Sequence, residues 1–265
     1  MMNIPCKALS TLLLTAGVCA SALSFAQTTK ALAVPEVSED WRYVIAPYLW
    51  LTNINSSVYY GGTEIASASV SSGSVLQSLN IAGMVEMEAH KGNFGVLADL
   101  MYASLSNTTS TAIGPRISAD STSTLNQGIY TLAATYTVAK SAQFYMDALL
   151  GARIVTLSSS TNFNINGNSP LGLSISTNKT LADPVIGLKG RARLSDSDWF
   201  VPFYLDVGGG GSTEVTTQAF LGIGRAYEWG DVIFGVKNLY YNQKTQGANT
   251  HMDLFGGALG VAFKF

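Results

Sequence analysis

From residue 41 onward, apolar and polar side chains alternate with a period of two. In 144–155, Phe144, Met146, Ala148, Leu150, Ala152 and Ile154 fall on one face, and Tyr145, Asp147, Gly151 and Arg153 on the other. In 201–207, Val201, Phe203, Leu205 and Val207 oppose Pro202, Tyr204 and Asp206. In 94–102, Phe94, Val96, Ala98, Leu100 and Tyr102 oppose Leu97 and Asp99. In 181–193, Ile186, Leu188, Gly190 and Ala192 oppose Asp183, Lys189, Arg191 and Arg193. Successive side chains of an extended strand point to opposite faces, so each stretch predicts a β-strand with one apolar and one polar face. Ten such stretches recur, at 41–52, 80–90, 94–105, 127–139, 143–157, 180–194, 199–211, 215–229, 231–243 and 252–265. A membrane is crossed by about 9–11 residues of tilted strand, which these lengths satisfy.

A soluble sandwich alternates in the same way, with the apolar face inward. The connections separate the two. The segments 53–79, 106–126 and 158–179 are long, rich in Ser, Thr, Asn and Gly, and nearly uncharged, and they read as long loops. They alternate with the short turns 91–93, 140–143, 195–198 and 229–231. Long outer loops and tight periplasmic turns are the asymmetry of an outer-membrane barrel. The expectation is an all-β fold, a single antiparallel transmembrane β-barrel over 41–265 with about ten strands. Eight or twelve also fit, because the Gly-rich stretch 208–214 is hard to bound.

Composition sharpens this. Of 265 residues, 47% are hydrophobic and 12% charged, against about 25% charged in a soluble domain. No run of roughly 20 apolar residues offers a spanning helix. Residues 1–26 carry Lys7, an apolar run around Leu12–Val18 and small residues at Ser24 and Ala26, the pattern of a cleaved secretory signal peptide. Residues 27–40 then read as a periplasmic tether. Cys6 and Cys19 both lie in the leader, so the mature chain has no thiol or disulfide chemistry. The slightly acidic balance, 15 basic against 17 acidic residues, gives no reason to expect a nucleic-acid partner.

The chain ends in ALGVAFKF. Gly260, Phe263 and a terminal Phe265 resemble the C-terminal signal of bacterial outer-membrane proteins, although Ala258 stands where a polar residue is usual. The resemblance implies that the barrel assembly machinery reads this strand as a partner. Phe263 and Phe265 point the same way on a strand, toward the periplasmic aromatic girdle, and Lys264 points to the lumen or the rim. The stretches WRYVIAPYLWLTNINSSV and GNFGVLADLMYASLS are similar to an uncharacterised porin-like group of Gram-negative outer-membrane proteins, which implies a barrel embedded in outer-membrane lipids and no particular activity.

Candidate chemistry lies on the polar faces. Glu86, Glu88 and His90 share one face of the second strand and could hold a cation, though a polar lumen explains them more simply. Lys189, Arg191 and Arg193 could select anions. Asp99, Asp147, Asp183, Asp206, Glu228, Arg153 and Lys237 also face inward by pattern. Unpaired charges inside a narrow barrel are costly, so these twelve acidic and basic residues read as a lumen charge network that needs no metal and no cofactor. Arg225, on the apparent lipid face beside Trp229, is expected near the periplasmic interface. His90 and His251 fall at opposite strand ends, and the Gly run 208–211 lacks the Lys-Ser/Thr of a phosphate loop. No catalytic set emerges. The sequence therefore predicts a non-enzymatic outer-membrane barrel, structural or porin-like for small solutes. A surface-interaction protein binding ligands through its outer loops is the alternative, and a membrane-embedded hydrolase using His251 and Asp253 a remote one.

Overall fold

In the computed structural model, residues 33–114, 117–166, 171–245 and 248–265 are described. They form eleven strands and one short helix: β1 (Arg42–Tyr60), β2 (Thr63–Val70), α1 (Ser72–Ser78), β3 (Leu79–Lys91), β4 (Phe94–Gly114), β5 (Ile117–Lys140), β6 (Phe144–Asn166), β7 (Leu171–Arg193), β8 (Trp199–Gly208), β9 (Val215–Tyr227), β10 (Gly230–Thr245) and β11 (Ala248–Lys264). All neighbours pair antiparallel, and β11 returns to β1, closing the sheet. Closure joins the last strand to the first, as a backbone surrounded by lipid requires.

Ten strands make the ring. The eleventh, β2, stacks on the outer half of β1, pairing from Ile54↔Val70 to Tyr60↔Thr63. β3 pairs only with the inner half of β1, from Arg42↔His90 to Pro47↔Val85. The handover follows Pro47, whose missing N–H falls on the opposite edge, where the β11 ladder skips from Ile45↔Phe263 to Tyr48↔Gly260. α1 covers the gap, with Ser71 capping its first turn through the Ser74 amide and Ser72 N–H donating to Asn53 Oδ1 at 2.8 Å.

The expected long loops 53–79, 106–126 and 158–179 are instead mostly strand. β4 and β5 stay in register from Phe94↔Tyr136 to Ala112↔Ser118, and β6 and β7 from Phe144↔Ala192 to Ile165↔Leu171. Thr suits an extended backbone, and opposed hydroxyls bond across strands. Thr108 and Thr122 hydroxyls lie 3.1 Å apart, as do Ser123 and Thr161. The result is two four-stranded ribbons, β4–β7 and β2–β1–β11–β10. At about 3.4 Å per residue and a tilt of about 40°, β5 rises roughly 60 Å, so roughly 30 Å of it clears an apolar band of about 25 Å.

The apolar face turns outward. Leu132, Leu150, Ile186, Leu205, Leu221, Phe234 and Leu259 are all half or more exposed, facing lipid. Aromatic rings gird the periplasmic end: Phe94 meets Tyr136 at 4.9 Å, Trp41 stacks on Tyr43 at 5.9 Å, and Tyr227 on Trp229 at 5.4 Å, with Phe263 a further 6.0 Å on. Arg225 lies on this girdle, its guanidinium 5.7 Å from the Trp199 ring and 5.2 Å from that of Tyr227. The described part of residues 27–40 enters the barrel mouth: Ala33 and Val34 are buried, and Ala33 packs against Phe200, Ala226 and Ile233.

Candidate functional site

The lumen is filled in layers, because inward positions of adjacent strands meet at the same height. At the periplasmic mouth, Arg191 Nη1 donates to Asp231 Oδ2 at 2.7 Å and Lys264 Nζ to Asp231 Oδ1 at 2.6 Å. Arg191 also lies over the Phe200 ring at 4.4 Å. Arg42 donates to the Glu36 carbonyl at 2.6 Å and to the Tyr145 hydroxyl at 3.1 Å. One step up, Lys189 Nζ bridges Glu86 Oε1 and Glu88 Oε1, the latter at 2.6 Å. His90 Nε2 lies 3.1 Å from Glu88 Oε2 and 3.9 Å from Asp147 Oδ2, and Thr137 donates to Asp147 Oδ1 at 2.7 Å.

The next layer holds two sealed clusters. Lys237 Nζ donates to Asp99 Oδ2 at 2.9 Å and to the Tyr48 hydroxyl at 3.0 Å, and Tyr48 donates to Asp99 Oδ1 at 2.6 Å. Arg153 Nη2 donates to Asp206 Oδ2, with Thr216 and Thr131 hydroxyls accepting its other N–H groups at 3.2 and 3.3 Å. Tyr204 donates to Asp206 Oδ2 at 2.6 Å and the Gln218 amide to Oδ1 at 3.1 Å. Arg153 and Asp206 are each 1% exposed. Charges so far from water are sustained only by such saturated bonding.

Above the charges, Trp50, Met101, Ile129, Val155, Leu181, Leu239, Tyr241 and Leu254 form one buried cluster across the lumen. Below them, a cavity of about 510 Å³ opens to the periplasmic side between Trp41, Arg42, Glu228 and Phe265, with Glu86, Glu88, Asp147, Lys189 and Gln218 on its walls. The lumen is thus a periplasm-facing vestibule, a charged floor and an apolar stopper.

Of the residues singled out in the sequence, Glu86, Glu88 and Lys189 meet in one cluster, Asp99 and Lys237 in a second, and Arg153 and Asp206 in a third. Arg191 joins the mouth. Asp147 faces His90. Three stand apart. Asp183 accepts the Ser212 and Thr213 amides at 2.8 Å each and so pins the outer β8–β9 turn. Arg193 donates to the Ser197 carbonyl of a periplasmic turn at 2.7 Å. Glu228 is exposed on the β9–β10 turn at the cavity rim. Sequence reasoning misses Asp231, fully buried at the end of the expected turn 229–231, and Arg42 on the first strand. The hydroxyls of Tyr48 and Tyr204 gave no signal beyond their inward parity.

At the end of the chain, Gly260 faces Tyr48, and a Cβ there would sit 3.1 Å from that of Tyr48. Phe263 joins the girdle and Phe265 is exposed at the rim, its backbone exchanging two 3.0 Å hydrogen bonds with Tyr43. His251 lies on the outward face, its ring 4.8 Å from Tyr59 and 6.1 Å from Tyr240, and Asp253 beside it accepts from Asn238 at 2.6 Å.

No protein-family model matches this sequence, and no curated protein is significantly similar to it. Solved structures do match in shape. The outer membrane protease OmpT from Escherichia coli is 11% identical, with 87% of this chain and 99% of that one covered and a TM-score of 0.51. Ail, the attachment invasion locus protein of Yersinia pestis, is 12% identical over 85% and 99% of the two chains at a TM-score of 0.30. The toluene transporter TbuX of Ralstonia pickettii is 10% identical over 86% and 90% at 0.32. At these identities the likeness concerns the fold, and it rests on the first of the three. The fold is that of a Gram-negative outer-membrane β-barrel.

Proposed function

We propose that this chain is a non-enzymatic outer-membrane barrel with a shut lumen, a structural protein of the envelope that holds its β-ribbons above the membrane and does not act as a pore. The observation that carries this reading is the apolar stopper stacked on two sealed ion-pair clusters. An ion entering from the periplasm meets two buried ion pairs and then a layer built mostly of apolar side chains. Against an enzyme stands the outward placement of His251 and Asp253, each engaged by neighbouring side chains and remote from the lumen acids. The leader, residues 1–26, is removed on export in this reading, and the mass of the mature protein tests that directly.

Planar-bilayer recording of the refolded mature protein is the test. The expected result is no steady conductance steps from wild type, and steps from a variant with the stopper thinned at Trp50→Ala and Leu239→Ala. Salt-dependent steps from the wild-type barrel would overturn the shut-lumen reading.

A second reading has its own observation. Phe163 and Leu173 sit opposite each other near the tip of the β6–β7 ribbon, with Ile165 and Ile175 alongside, and all four are exposed. Apolar side chains so placed support surface contact with another molecule. Replacing all four by Ser would abolish such contact and leave the barrel folded.

A further inference from the structure

The charged floor holds an arrangement that a salt bridge does not use up. We propose that Glu88, His90 and Asp147 form a binding site for one divalent transition-metal ion, reached from the periplasmic vestibule. The reading is independent of whether the lumen conducts.

The geometry is that of a three-ligand site. One imidazole nitrogen and two carboxylate oxygens all lie within 4.8 Å of one another. Nε2 is 3.1 Å from Glu88 Oε2 and 3.9 Å from Asp147 Oδ2. Ligands held at about 2.0–2.2 Å from a metal stand roughly 3 Å apart at right angles and roughly 4 Å apart at wide angles. The two distances from Nε2 already fit such a set, and the two carboxylate oxygens, within 4.8 Å of each other, close on a common ion by side-chain rotation. Imidazole with two carboxylates suits Zn²⁺, Mn²⁺ or Fe²⁺.

The surroundings are arranged as outer-shell support. Each carboxylate has one oxygen already held, Glu88 Oε1 by Lys189 at 2.6 Å and Asp147 Oδ1 by Thr137 at 2.7 Å. The other oxygen of each turns to the imidazole. Such partners fix ligand orientation in metal sites. Two further observations point the same way. Glu86 and Glu88 share the ammonium of Lys189, and Asp147 lies 3.9 Å from the imidazole, so three carboxylates stand beside one lysine and leave negative charge for a cation to balance. On the far side of the ring, buried Nδ1 has no partner, and neither has the buried Thr135 hydroxyl. Both crowd the Cα of Gly95, where a Cβ would lie 2.5 Å from Nδ1 and 2.6 Å from Thr135 Oγ1. With Nε2 on a metal, Nδ1 carries the proton. Glu88 and Asp147 line the vestibule, which provides the entry path and room for water at the open coordination positions.

The test is Zn²⁺ titration of the untagged, refolded mature barrel in detergent at pH 7.5, by calorimetry, with the visible spectrum of Co²⁺ as a second readout. The mature chain has no Cys and one other His, so background is low. Wild type is expected to bind one equivalent and to give Co²⁺ ligand-field bands. H90A and D147N are expected to lose both, H251A to keep both, and T137V to bind about tenfold more weakly. Heat-modifiable gel mobility checks that each variant folds, and D147N, which keeps the shape of the side chain, stands in should H90A fail. No stoichiometric binding by folded wild type would overturn the proposal. Binding that survives H90A and D147N in folded protein would equally overturn it.

Discussion

Replacing Asp206 by Leu should be the most destabilising single change in the lumen. Three donors converge on this carboxylate, from Arg153, Tyr204 and the Gln218 amide. Its loss strands a guanidinium that is 1% exposed. Breaking a buried pair from one side costs about 3–5 kcal/mol. Thr131 and Thr216 still accept from Arg153, which places the expected loss in the lower half of that range. With a urea slope of about 2–3 kcal/mol/M, the unfolding midpoint falls by roughly 1–2 M. The double variant R153M/D206L removes the stranded charge. It leaves the Tyr204 hydroxyl and the Gln218 amide without their acceptor, at about 1–3 kcal/mol, and so should be more stable than D206L alone. The assay is urea unfolding in lipid vesicles followed by tryptophan fluorescence. If D206L costs less than about 1 kcal/mol, or if R153M/D206L is no better than D206L, the site is not the dry, sealed pair described above.

Gly256→Ala should destabilise the barrel by about 1–3 kcal/mol, because its Cβ would run into the Leu51 carbonyl at the seam. Gly257→Ala, with nothing within 4 Å, should stay within about 0.5 kcal/mol in the same assay. Arg225→Leu should shift stability by no more than about 1 kcal/mol, as suits a residue at the interface, and a gain of 2–4 kcal/mol would place it at mid-membrane. Thr108→Val with Thr122→Val, which removes an exposed hydroxyl pair, should cost about 1 kcal/mol or less and leave the ribbon intact by amide exchange.

The membrane-spanning part of this fold is legible because lipid on one side and packed lumen on the other force a strict two-residue alternation. Val201, Phe203, Leu205 and Val207 could be assigned to lipid from the string alone. The ribbons were illegible for the converse reason. In water on both faces, Ser and Thr alternate with Ser and Thr, and hydropathy has no period to show. What holds Thr108 to Thr122 is a partner in the next strand, and a partner needs a register. The same limit applies to the lumen. Parity told which charges face inward, yet the pairing of Glu86 with Lys189, 103 positions away, depends on how far the sheet has curled round. Asp183 shares its face with Lys189 but sits high enough to meet the turn at Ser212. Asp231 lay in three residues whose Gly and Asp mark a turn, and only closure of the ring brings Arg191 and Lys264 to it.

The seam between first and last strands has a bearing on biogenesis. Val44 pairs with Lys264 and Tyr60 with Ala248, so the contacts that close the ring span most of the polypeptide. Every other neighbouring pair in the ring is local by comparison. Contacts of such high sequence separation are the slowest to form, since the whole intervening loop must first be ordered. A chain lacking β11 would have every hairpin but the last and no cylinder. Until β11 docks, β1 keeps an open hydrogen-bonding edge. Phe265, bonded both ways to Tyr43, fastens the periplasmic end of that seam.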